Sequence, residues 1–174
     1  FVILLAGDLA IQAGETRLRL EADASAVLPA GCAFGWRTEG GASLLVMRYA
    51  GPASDGAAAP LAIDRAAPLE PSNPPLAELL VGPTPQCRNH TDYRSADGVF
   101  TCGVWDSTPY HRRSMGYRHH ELMHLLAGAV TFEDGAGRRG TFRAGDIFLV
   151  EQGAACSWLS VEDVAKVYAI YRPV

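Results

Sequence analysis

"RHHELMHLLAG", residues Arg118–Gly128, is the stretch whose reading decides the fold. His120, Glu121 and His124 spell H-E-x-x-H, the zinc signature of many metalloproteases. On a helix, residues i and i+4 lie about 6 Å apart and both imidazoles reach one ion. On a strand the same two residues share a face. At about 3.3 Å per residue they then stand roughly 13 Å apart, too far for one ion with bonds of about 2 Å.

The flanking sequence selects the strand. "LLAG" runs into "AVTFEDGAGRRGTF", two alternating runs joined by a glycine-rich turn, which reads as a hairpin. The continuation "LLAGAV" lacks the further ligands of the zinc protease families. A zinc metalloprotease is therefore a remote alternative. In extended backbone His119, Glu121, Met123 and Leu125 face one way, and His120, Leu122, His124 and Leu126 face the other. An inward Glu121 needs a partner, so its face is the candidate site. His120 and His124 are expected to pack between sheets or at a subunit contact.

Most other segments also read as strands. "ETRLRLEA", "SLLVMRYA", "GVFTCGVWD", "DIFLVEQG" and "KVYAIYRP" are short, rich in β-formers and bounded by Gly, Asp or Pro. One helix is expected, over Pro74–Leu80. "GPASDGAAAP", Gly51–Pro60, reads as a linker, and His90 as a solvated loop residue. The class is all-β.

The chain also repeats itself. "LLAGDLAI" at Leu4–Ile11 resembles "LLAGAVTF" at Leu125–Phe132, and "LPAGCAFGW" at Leu28–Trp36 resembles "VEQGAACSW" at Val150–Trp158. Trp36 precedes Tyr49 by the same interval as Trp158 precedes Tyr171. Two copies of one β unit are present. The second copy has about 40 strand-like residues before its LLAG block and the first has three. The opening strands of the first copy are thus expected upstream of Phe1. The expected organisation is a partial copy at 1–52, a linker at 53–85 that packs across both units, and a complete barrel at 86–174.

Composition narrows the partners. The net charge of −4 argues against nucleic acid, whose phosphates need a positive surface. No apolar run reaches the roughly 18 residues of a membrane span. "FVILLAG" is short, with no basic residue before it, and is a poor signal peptide. Cys32, Cys87, Cys102 and Cys156 form no C-x-x-C pair, which fits a reduced cytoplasm.

These residues resemble the cupin superfamily, the small double-stranded β-helix (jelly-roll) barrels. Glu121, six residues and Gly128 fit the end of the first cupin motif. Gly145, Asp146 and Gly153 fit the second, and Pro29 and Gly31 keep its turn in the first copy. "GVWDSTPY" with "ELMHLLAGAVTF" is similar to a subgroup related to ureidoglycine aminohydrolase and the ethanolamine-utilisation cupins. The resemblance implies a bicupin, a sheet-packed homodimer, and a metal held by an H-x-H pair, a Glu and a later His. In register, only Glu121 survives. "SMGY", Ser114–Tyr117, stands where H-x-H belongs, and Cys156 replaces the later His. Two alternatives stay open. Either the barrel has lost its metal, or His111, His119, Glu121 and Cys156 rebuild a site for zinc, iron, manganese or nickel.

The implied function is action on, or binding of, a small carboxylate, amide or ureide in the second barrel. Glu121 and His119 are the candidate catalytic residues, with the Glu121 pKa raised by burial towards proton-transfer range. Trp105, Tyr110, Arg112, Tyr117, Met123 and Trp158 are the candidate pocket. Arg112, Arg113 and Arg118 form either a solvated edge or a carboxylate clamp. The alternative function is a non-catalytic sensor.

Overall fold

The computed structural model describes residues 1–52 and 59–173, and its strands fall into two sets with the same wiring. The first set is β1 (Val2–Gly7), β2 (Leu9–Ala13), β3 (Thr16–Leu20), β4 (Ser25–Val27), β5 (Gly35–Arg37) and β6 (Ala42–Val46). Two short strands follow, β7 (Leu61–Ala62) and β8 (Glu70–Ser72). The second set opens with β9 (Cys87–Arg94), β10 (Phe100–Ser107) and β11 (Tyr110–Gly116). It continues with β12 (His120–Ala127), β13 (Ala129–Glu133), β14 (Arg139–Arg143), β15 (Ile147–Val150), β16 (Ala155–Ser160) and β17 (Val164–Tyr171).

All pairings are antiparallel. β1 pairs with β4 and β6, as β12 pairs with β15 and β17. β2 pairs with β3 and β5, as β13 pairs with β14 and β16. The sequence repeat is thus a repeat of topology. The second set adds β10 against β17 and β11 against β16. Among the described residues the matching sides of β6 and β5 carry no strand. Trp36 and Val46, on those strands, are exposed.

H-E-x-x-H lies within β12, in extended backbone. Side-chain alternation divides its residues between two cores, as the sequence implies. Met123 and Leu125 enter the barrel interior with Val130, Phe132, Trp158 and Val164. Leu122 packs on the opposite face with Val104, Val167, Ile3, Val27 and Ile63. Ile63 comes from the connecting segment, whose β7 joins β4 and whose β8 joins β9.

Two local expectations need correction. Over Pro74–Leu80 only one 3-10 turn forms, at Ala77–Leu79. It is tied down from outside: Arg113 donates to the Glu78 and Leu80 oxygens, and the following Val81 N–H donates to the His111 oxygen. His90 sits in β9, its Nε2 3.7 Å from Asp92 Oδ1. His124 is buried beside Arg65, and His120 stacks on Tyr171. Of the linker read at Gly51–Pro60, residues 53–58 lie outside the described residues.

Candidate functional site

Inside the second barrel is a cavity of about 540 Å³. β12 brings Glu121 to its floor, 7% exposed. β17 brings Lys166, 6% exposed, by the same alternation that turns Tyr168 and Ile170 inward and Val167 and Ala169 outward. Lys166 Nζ donates to Glu121 Oε1 at 2.8 Å and contacts Met123 Sδ at 3.4 Å. It also lies 4.7 Å from the Trp105 ring centroid and 5.2 Å from that of Trp158. Two electron-rich faces and a carboxylate therefore replace the hydration shell of the ammonium.

His119 completes this group. Its Nε2 donates to Glu121 Oε2 at 3.3 Å, since an ionised carboxylate only accepts. That bond leaves Nδ1 as the second ring nitrogen, with no protein partner among the described residues. Burial pushes the Glu121 carboxyl up, but the Lys166 charge and the two hydrogen bonds outweigh it and hold the group down at about 2. The value is lowered rather than raised, because the Lys166 ammonium sits on the carboxylate.

A second centre lines the same cavity. Arg112 on β11 is 3% exposed, and its Nη2 donates to the Tyr117 hydroxyl at 3.4 Å. Its Nη1 is buried with no hydrogen-bond partner. Cys156 lies beside it; burial raises the thiol and the guanidinium lowers it, with a net shift upward. Tyr110 stacks on Trp158 at 5.5 Å, and Trp105 meets Trp158 edge-on at 5.9 Å, closing one wall. Arg94 and Arg172, both exposed, also line the cavity, so four cationic side chains and one carboxylate line it.

The candidate residues separate accordingly. Glu121 and His119 come together, and Trp105, Tyr110, Arg112, Tyr117 and Trp158 line the same cavity. Met123 lies beneath Lys166 and does not line it. Arg113 and Arg118 are exposed. The rebuilt metal set does not assemble. His111 has the opposite parity to the inward Tyr110 and Arg112, and Cys156 answers to Arg112. Among the described residues no three His, Cys, Asp or Glu side chains gather. The residues present do not fit the metal that the resemblance implies. Lys166 was missed, though a signal existed: it is the only lysine in the sequence.

Comparison with known proteins bears on the family. Residues 94–168 match the family of EutQ-like cupin domains. A Pseudomonas syringae pv. tomato protein of unknown function in the DUF861 family is similar over 97% of this chain and 72% of its own. That similarity is at 33% identity and a TM-score of 0.88. The Clostridium difficile EutQ protein is similar over 51% of this chain and 69% of its own, at 11% identity and a TM-score of 0.43. A Thermotoga maritima DUF861 protein is similar over 37% and 73%, at 25% identity and a TM-score of 0.35. No curated protein matches. A double-stranded β-helix with its pocket inside the barrel defines a cupin. The chain belongs to the cupin superfamily, in the DUF861 family.

Proposed function

We propose that the second barrel binds a small metabolite carrying a carboxylate, in the cavity between Arg112 and the Glu121–Lys166 pair. The unpartnered Nη1 of Arg112 carries this reading. A buried guanidinium without an anion is costly, and a ligand carboxylate offers it the two-pronged acceptor it lacks. The surplus of cations around the cavity works in the same direction. At the other end, His119 Nδ1 and the indole wall suit an amide or ureide, the substrate class implied by the resemblance to ureidoglycine aminohydrolase. The bicupin reading rests on the shared pairing scheme of the two strand sets. Four free cysteines support a cytoplasmic setting.

The test is a melting-temperature screen with short mono- and dicarboxylates, their amides and ureido acids. Carboxylates should raise the melting temperature, uncharged amides should not, and Arg112→Met should abolish the response. A response confined to the uncharged compounds, or one that survives Arg112→Met, refutes the reading.

One observation favours a catalytic version. Glu121, held ionised, orients His119 as a carboxylate orients a general base. His119, rather than Glu121, would then move the proton. Turnover of a ureido acid that is lost in His119→Gln while binding persists would establish it.

A further inference from the structure

We propose that the ammonium of Lys166 is the resident cation of this barrel, held on the carboxylate where the superfamily resemblance points to a metal ion. The sequence supplies the first observation. Among 15 basic residues only Lys166 is a lysine; every other one is an arginine. The single exception lies on the barrel floor. Arginine presents a broad planar fork, whereas lysine presents a compact point charge on a flexible stem. Of the two, lysine is the closer in shape to a bare cation.

The contacts supply the second. Lys166 leaves β17 opposite Leu125 and Trp105, then reaches along the barrel to Glu121 Oε1 at 2.8 Å. Glu121 is the single residue that keeps a metal-ligand position of the family. Its carboxylate already meets a full positive charge on one oxygen and His119 on the other. An added ion on Glu121 would be repelled by Lys166 at close range, and Arg112 would add to the repulsion.

The surroundings supply the third. Indole faces and a thioether sulfur enclose Nζ, and both suit a fixed monovalent ammonium. The positions that the resemblance assigns to the rest of a metal shell hold Ser114, Met115, Gly116, Tyr117 and Cys156, none of them an imidazole. The inference concerns how the floor is charged and goes beyond the ligand-binding reading.

Purified chain is exposed to Mn²⁺, Fe²⁺, Ni²⁺ and Zn²⁺ in turn, desalted, and assayed for metal, with melting curves recorded in each ion. The expected result is no retained ion and no shift in melting temperature. Lys166→Met should melt well below the unaltered chain because it strands Glu121, and adding Glu121→Gln should recover most of the loss. A stoichiometric ion that is lost in Glu121→Ala overturns the proposal, as does a Lys166→Met variant with unchanged melting. Should Lys166→Met fail to fold, the metal assay of the unaltered chain still decides. A chain that holds an ion on Glu121 and still responds to carboxylates refutes this inference and leaves the binding reading intact. One that holds no ion and ignores carboxylates does the reverse.

Discussion

Gly7 and Gly128 occupy the same place in the two copies, each closing an LLAG block in left-handed backbone, with φ of 86° and 73°. At Gly7 a Cβ would lie 2.1 Å from the Gly41 carbonyl oxygen; at Gly128 it would lie 2.1 Å from that of Asp163. The backbone of the returning strand thus passes too close for any side chain, in both halves. Gly128→Ala should destabilise the fold by at least about 2 kcal/mol, combining left-handed strain with a clash against backbone. Gly145, with φ of 92° and nothing near its missing Cβ, isolates the strain alone. Its alanine variant should lose about 1 kcal/mol. Urea unfolding of both variants checks the difference, and equal losses would contradict it.

Acid should find Glu121. Its folded value is lowered to about 2, against an ordinary 4.5. A lowered carboxyl contributes stability that is complete above the ordinary value and disappears as pH falls through the folded one. The unaltered chain should therefore lose stability steeply between about pH 4.5 and about pH 2. The Glu121→Gln, Lys166→Met double variant should show a shallower slope over that window. Chemical unfolding at stepped pH measures both, and parallel curves would show that the pair does not titrate this way.

Arg112 sets stability against binding. Replacing a buried, half-satisfied guanidinium with a methionine of similar length should make the ligand-free chain more stable, by about 1–3 kcal/mol. The same change should abolish carboxylate binding. A variant less stable than the parent would mean that Arg112 is a structural strut.

Thiol reactivity should follow burial. Cys32 is partly exposed, whereas Cys87, Cys102 and Cys156 are buried, and burial pushes Cys102 up to about 12. Native chain at mildly alkaline pH should show one fast thiol with an aromatic disulfide reagent and four after unfolding. Fast modification of Cys156 would mean that the barrel opens readily.

Much of the fold could be read because its rules are local. The parity of β12 follows from period-two alternation, and the repeat follows from three short blocks kept in register. The 3-10 turn at Ala77–Leu79 could not be read, since the capture by Arg113 joins segments about 35 residues apart in sequence. The site shows the same division. Glu121 and His119 were legible from one strand and its flank. The Glu121–Lys166 pair spans 45 residues of sequence, and a lysine is invisible to a reading that looks only for metal donors. His111 does not line the cavity, because its parity is opposite to that of Tyr110 and Arg112, whose inward direction only the closed barrel reveals.

A positive charge carried by a side chain arrives with the ribosome's product. It needs no loading step, survives chelators, and is indifferent to which transition metal happens to be abundant. The exchange narrows the chemistry. An ammonium offers N–H donors and a fixed field but no vacant orbital, so it can steady a developing oxyanion without taking an electron pair into its own shell.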